Sequence, residues 1–344
     1  MRRYLSLLLV GAAFSISITA EVNAGEVTPI TSIGRQEGDW TSPVKNYVVL
    51  KRDGLEIVVV NNQAVDDNTV PSHRAGYSGI ARISHTEQPN NLFVPNYAGL
   101  NYEHIHDGRT RDRTILFEPR NLPMELRRIN QNTVELYQAP AGHYKLESCQ
   151  RYELLKDGTI QLTYECIPRA KTFENNYIGL FWASYIHQPK DKSIHFPGFE
   201  NMEGKDLREL PAPKIIRSVT PQHGIHATHR GIRDTRLFKH DKNFPLTLVF
   251  GYSRHRFHEP WYYGVSRNMG FAQVFRTADQ IRLSQSPSGG GNGNPAWDFQ
   301  YFIPDYEIGK TYRFVMRAIY HPIDQQEVFF QRIHQEYKNL NHSR

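Results

Sequence analysis

Short apolar runs, many alternating with polar residues, set the texture of the chain. Met124-Glu125-Leu126-Arg127 and Thr133-Val134-Glu135-Leu136-Tyr137 show the two-residue period of half-buried antiparallel strands. Comparable runs cover Tyr47–Lys51, Leu55–Val60, Thr114–Glu118, Met124–Ile129, Thr133–Gln138, Tyr144–Leu155 and Ile160–Ile167. Others are Tyr177–Ile186, Leu246–Tyr252, Phe271–Phe275, Gln280–Ser284, Trp297–Ile303 and Thr311–Tyr320. So many strands with little helix between them predict an all-β fold, a large sandwich or barrel, and not alternating strand–helix units.

Asp53-Gly54 and Asp157-Gly158 each separate two such runs, and Asp-Gly is a strong two-residue hairpin signal. In the second hairpin that register sets Cys149 opposite Cys166 as a non-hydrogen-bonded pair, where side chains approach closest. It predicts a Cys149–Cys166 disulfide; two buried free thiols are the alternative. One helix is predicted at the C-terminus. Asp324 and Glu327 make a capping-box-like start, and Phe329, Phe330, Ile333 and Tyr337 recur on one face. Gln188–Lys214, rich in Pro and charge, reads as a long loop, and Ser286–Pro295 is the low-complexity segment. No linker divides residues 25–344, which read as one domain.

Arg2 and Arg3 precede an apolar run from Tyr4 to Ile18, and Val22-Asn23-Ala24 fits a cleavage site. The expectation is a signal peptide over 1–24 and a periplasmic or secreted protein, with an uncleaved anchor as the alternative. No later stretch approaches the ~20 apolar residues of a spanning helix. Apolar residues at 39% of 344 allow a sizeable core. The net charge of +6 is spread along the chain, which argues against a nucleic-acid partner. Two cysteines exclude a disulfide scaffold and a Cys-rich zinc module.

The 16 histidines are the main chemical clue, because histidine is the usual acid–base residue near neutral pH. In Asn101–Asp107 an extended backbone puts His104 and His106 on one side and Glu103 and Asp107 on the other. His223, His226 and His229 have superficially metal-like spacing, but Pro221 and Gly224 argue against a helix, so substrate contact or a solvated loop is preferred to a metal. Arg254-His255-Arg256-Phe257-His258-Glu259-Pro260-Trp261-Tyr262-Tyr263 sets donors beside aromatic faces, as a carbohydrate site does; a core role for the aromatics is the alternative. Asp298, after the glycine-rich segment and Trp297, is a general base or a turn cap. No phosphate-binding loop, nucleophile elbow or dinucleotide fingerprint occurs, and no cofactor is expected. Paired carboxylates brought together from distant strands stay open.

Glu118-Pro119-Arg120, Val134–Gln138, Tyr177–Ile186 and the run from Ile281 to Phe299 resemble a largely uncharacterised family of exported bacterial proteins. The similarity extends over roughly Tyr47 to Tyr320. It implies a galactose-mutarotase-like β-supersandwich and a role around carbohydrates. The wider superfamily uses a histidine acid and a carboxylate base on a concave sheet face. Its motif does not align onto this chain residue by residue, so the assignments rest on chemistry.

The expectation is an exported carbohydrate-active protein doing acid–base work on a sugar or oligosaccharide, as an epimerase or mutarotase, lyase or hydrolase. His104 is the acid, Asp298 or Glu259 the base, and His226 a further catalytic candidate. Substrate contacts are assigned to His106, His229, Arg254, His258, Trp261, Tyr262, Arg282 and Trp297. The alternatives are a non-catalytic glycan-binding module and a metal-dependent enzyme using the second histidine cluster.

Overall fold

Side chains on alternate positions of each strand sort this chain into an aromatic interior and a polar outer face. The structure, a computed structural model, describes residues 28–202, 210–221, 225–287, 291, 293–324 and 326–342. The expected signal segment 1–24 and His223 lie outside them. A three-stranded sheet holds β1 (Tyr47–Arg52), β2 (Leu55–Val60) and β3 (Gly79–His85). The fifteen-stranded sheet takes β4 (Asn101–His106), β5 (Glu125–Asn130), β6 (Thr133–Gln138), β7 (Leu146–Leu154), β8 (Ile160–Pro168), β9 (Tyr177–Ala183), β10 (Ile194–Phe199) and β11 (Lys214–Ser218). It continues with β12 (Thr228–Gly231), β13 (Tyr252–Phe257), β14 (Trp261–Ser266), β15 (Met269–Phe275), β16 (Arg282–Ser286), β17 (Ala296–Pro304) and β18 (Tyr312–Pro322). Its spatial order is β4-β9-β17-β16-β12-β13-β10-β14-β15-β18-β8-β7-β6-β5, with β11 added beside β10. The β12–β13 pair runs parallel, whereas β4–β9, β17–β9 and β16–β17 run antiparallel.

The interior is closed by rings. Trp182 stacks on Tyr102 at 4.8 Å and on Phe299 at 5.1 Å, and its indole N–H donates to Gln150 Oε1 at 3.0 Å. Such a packed indole is worth about 3–5 kcal/mol against alanine. On β17 the inward set is Trp297, Phe299, Tyr301 and Ile303, and Ala296 and Phe302 belong to a second apolar cluster on the outer face. The helix α4 (Gln326–His342) lays Phe329 and Ile333 on Trp261, Val274 and Ile319, and its Glu336 pairs with Arg317. The all-β class and the C-terminal helix are therefore as expected. No helix among the described residues is long and apolar enough to cross a membrane.

Three local expectations are corrected. Residues 114–118 are helical: α1 (Arg113–Leu116) is capped by Asp112, whose Oδ1 accepts from Thr114 N at 2.8 Å, and α2 (Glu118–Asn121) opens with Pro119. Residues 246–252 form α3 (Thr247–Phe250) before β13 begins. The expected loop 188–214 contains β10, hidden in sequence by Pro197 and Gly198. Gly198 is required there, because a Cβ would fall 2.2 Å from the Arg256 carbonyl oxygen.

The disulfide is a further correction, since both cysteines are free and buried. The first hairpin is a two-residue turn, with Asp53 and Gly54 both at positive φ and Arg52 opposite Leu55. In the second, Leu155 N donates to Thr159 O at 2.8 Å, so Lys156, Asp157 and Gly158 (φ +77°) form a three-residue turn. That extra residue slips the register by one. Cys166 then faces Ser148 and Cys149 faces Glu165, so the thiols point to opposite faces of the sheet.

Candidate functional site

The outer face of β4, β9, β17, β16, β12 and β13 carries a row of buried polar side chains that includes Glu103, His104, His106, Asp298, Gln300, Ser284, Thr228 and Arg282. At the β4 end a bulge after Tyr102 leaves Glu103 as an extra residue opposite β9. It turns Glu103 onto the same side as His104, against the simple alternation expected from sequence. Glu103 accepts from Tyr185 Oη at 2.5 Å and from Arg120 Nη1 at 3.1 Å, and lies 3.6 Å from His104 Nε2. His106 follows on this face, among Phe244, Phe250, Phe302 and Tyr177. It lies flat on Gly179, where a Cβ would come within 2.2 Å of the ring.

Asp298 joins this group from β17. It is fully buried and accepts from Ser184 N at 3.2 Å, while its Oδ2 has no partner. Burial, then the Glu103 carboxylate, pushes its pKa well above the ordinary aspartate value. Burial raises Glu103 as well, against the pull of Arg120. Burial, then neighbouring cations, lowers His104 and His106 to about 3. The histidines are therefore neutral at pH 7, and each leaves Nδ1 without a partner. Shifted acids and bases on one face are the usual mark of a functional site, but these are at most 7% exposed. An apolar layer of Phe238, Phe244, Leu246, Leu248 and Phe250 covers this face, together with Tyr97 and Phe117.

The other end of the same face is open. A bay of about 850 Å³ is lined by Met202, Ser218, Val219, His226, Arg230, Tyr252, Arg254, His255 and Arg256 among others. The floor at Tyr252 is supported from behind by Arg282, which is fully buried and does not itself line the bay. Its Nε donates to Asp234 at 2.8 Å, Nη1 to Tyr252 Oη at 3.0 Å and Nη2 to the Arg236 carbonyl at 2.9 Å. Arg230 of β12 stands opposite Arg256, and between the Tyr252 and Arg256 pairings β13 carries two more residues than β12, an irregular stretch that lets Tyr252, Arg254, His255 and Arg256 all line the bay. The Arg230 guanidinium lies 4.1 Å from the centre of the Tyr252 ring. At the rim His226, at φ +58°, donates from Nδ1 to the Tyr252 carbonyl at 3.0 Å. With strands about 4.8 Å apart, Asp298 and Tyr252 stand three strands, or roughly 14 Å, from each other.

The structure thus divides the sequence-predicted residues. His104, His106 and Asp298 share the covered end. His226 and Arg254 share the bay, with Arg282 behind its floor. The others lie elsewhere. His229 turns inward, its Nε2 3.1 Å from Gln285 Oε1 and 3.2 Å from Ser218 Oγ, and burial lowers it to about 4. Its partners separate it from the exposed His226, and no group of three or more His, Cys, Asp or Glu able to hold a metal occurs among the described residues. Tyr262 and Trp297 are interior residues. Trp261 packs under α4 and donates to Glu259 Oε2 at 2.8 Å, which removes both from the bay. His258 is exposed beside Phe199, 6.0 Å between ring centres. Sequence reasoning missed Glu103, Arg120, Arg230, Tyr252 and Arg256. The run Tyr252-Ser253-Arg254-His255-Arg256, in which Arg254 is already assigned, was the available signal for Tyr252 and Arg256.

No family model matches the chain, and no curated protein matches it. Among solved structures it is similar to a putative aldose 1-epimerase from Escherichia coli K12, at 9% identity and TM-score 0.44, covering 80% of this chain and 99% of that one. It is similar to a galactose 1-epimerase from Lactobacillus acidophilus NCFM at 8% identity and TM-score 0.40, covering 82% and 98%. A heparan sulfate lyase from Pedobacter heparinus gives 13% and 0.37, covering 81% of this chain and 37% of that one. Two of these three neighbours are 1-epimerases by name. Scores below 0.5 at such identities leave the chemistry of this chain to its own residues.

Proposed function

We propose that the protein is an exported, carbohydrate-active protein that takes its saccharide in the bay between β12 and β13. The observation that carries this reading is an open hollow of about 850 Å³ whose walls combine guanidinium, imidazole and hydroxyl groups with Met202 and Val219. Hydroxyl-rich rings with apolar C–H faces need that mixture of polar partners and apolar surface. Proton transfer in the bay falls to His226 and His255, which line it, rather than to His104 and Asp298, which lie under cover. Export rests on Arg2, Arg3 and the apolar run ahead of Val22-Asn23-Ala24.

The test is a panel of neutral and acidic oligosaccharides followed by NMR, for turnover and for shifts of bay resonances. Turnover that His226→Ala or His255→Ala abolishes supports the enzyme. Failure of every saccharide to perturb the bay defeats the reading. The burial of Asp298, Glu103 and His104 favours a second reading, a glycan-binding module, which predicts bay perturbation with no product. N-terminal sequencing of the exported protein should begin at Gly25.

A further inference from the structure

The bay holds three arginines that make no ion pair among the described residues. Asp234 is shared by Arg236 at 2.9 Å and Arg282 at 2.8 Å, and Arg217 is matched by Asp191 at 3.0 Å. Arg230, Arg254 and Arg256 make no ion pair among the described residues. Arg256 Nη1 donates only to the carbonyls of Asp234 (3.0 Å) and Gly231 (3.4 Å). Arg230 keeps a buried Nε with no partner at all. Arg254 is exposed and donates to nothing described. Register sets Arg230 opposite Arg256 on neighbouring strands about 4.8 Å apart, and Arg254, in the irregular stretch of β13 just before Arg256, lines the same bay. Two guanidiniums carried on paired residues can close on one planar or tetrahedral oxyanion, and a third in the same bay can meet a neighbouring one.

From this arrangement we infer that the ligand of the bay is an anionic oligosaccharide, with a carboxylate or sulfate gripped between Arg230 and Arg256 and a second anionic group met by Arg254. The inference rests on the saccharide reading of the same bay. Burial and then the neighbouring guanidiniums lower the pKa of both Arg230 and Arg256, against the pull of Asp234, whose carboxylate is already bonded to Arg236 and Arg282. Exposed Val219 and buried Met202 complete the walls, leaving apolar surface for the ring carbons between the charges.

The experiment is calorimetric titration of the full chain with an oligogalacturonate, a sulfated oligosaccharide, the neutral counterpart of each and inorganic sulfate alone. Variants Arg254→Ala and Arg256→Gln are compared with Arg128→Ala, an exposed arginine on β5. Expected is binding of at least one acidic sugar, about ten-fold or more tighter than its neutral counterpart and weakened by salt. Arg254→Ala loses about ten-fold and Arg128→Ala nothing; Arg254 has no bonds to break, so a folding failure does not intervene. The acidic class that binds identifies the oxyanion. Equal binding of neutral and acidic sugars, or acidic binding unchanged by Arg254→Ala and Arg256→Gln, overturns the inference while the saccharide reading stands. Sulfate binding as tightly as any sugar also overturns it. No binding by any sugar overturns the saccharide reading itself.

Discussion

Replacing Arg282 by Met tests whether the bay rests on this residue as a structural member. The side chain is fully buried and spends its guanidinium in three directions, on the Asp234 carboxylate, the Tyr252 hydroxyl and the Arg236 carbonyl. It also lies 4.7 Å from the ring centre of Phe302 and 5.0 Å from that of Phe238. Met fills most of the aliphatic volume and removes every polar bond. Breaking a buried ion pair by deleting one partner costs about 3–5 kcal/mol. Asp234 keeps Arg236, so the lower end applies, about 3 kcal/mol. Lys keeps the charge but has no planar fork, so Arg282→Lys recovers little. Removing the stranded carboxylate as well, in Arg282→Met with Asp234→Asn, returns at least about 1 kcal/mol. Urea unfolding followed by fluorescence reads these values as shifts of the midpoint, about 1 M for the single variant at a slope near 3 kcal/mol/M. A loss below about 1 kcal/mol for Arg282→Met, or equal stability of Arg282→Lys and the natural chain, refutes the floor assignment.

Asp298→Asn should be tolerated. Burial and Glu103 raise the carboxyl's pKa in the fold, so native stability falls as pH rises from about 4 toward that raised value, and Asn abolishes the fall; a scan of melting temperature against pH checks it. Glu165 has the opposite sign. Although burial works against it, hydrogen bonds from the Thr31 hydroxyl, the Ile30 and Thr31 N–H groups and Arg313 hold its pKa below the usual value. Its contribution is complete above about pH 4.5 and is lost as pH falls through the folded value, and Glu165→Gln should flatten the acid limb and remove about 1–3 kcal/mol at pH 7. Alkylation without reductant should leave the native chain unmodified and add two groups once it is unfolded; a requirement for reductant would restore the Cys149–Cys166 bridge.

The strand class was legible because alternation is a local property. Val134, Leu136, Phe299 and Tyr301 announce their faces within five or six residues, and so does the helix over Phe329 and Ile333. Register was less legible, since Asp-Gly is common to two-residue and three-residue turns. At Asp53-Gly54 both residues carry positive φ, while at Asp157-Gly158 only the glycine does. One residue of difference sent the cysteines to opposite faces. The candidate site failed for a related reason. Trp261 and Tyr262 are neighbours in sequence and therefore opposite in a strand, one under α4 and the other in the interior. The bulge that turns Glu103 toward His104 has no sequence signature. Arg230 meets Arg256 only through a parallel pairing that brings together segments joined by the whole stretch between them.

The two ends of the polar face complement each other electrostatically. At the covered end burial disfavours the charged forms of Asp298 and of both histidines. At the open end Arg230, Arg254 and Arg256 share a hollow whose lining is mostly polar, with Met202 and Val219 as its apolar part. Three guanidiniums lining one hollow raise the positive potential there, although the formal charge of the whole chain is only +6. That arrangement is unfavourable in the free protein, because Arg230 and Arg256 repel across neighbouring strands. An anion between them removes the repulsion and adds charge-assisted bonds, so ligand affinity and fold stability rise together. At a ligand concentration of 100 Kd the gain is about 2.7 kcal/mol. The same logic explains why no acidic side chain of the described chain occupies the gap: an internal partner at Arg230 would relieve the strain permanently and leave nothing for the ligand to gain.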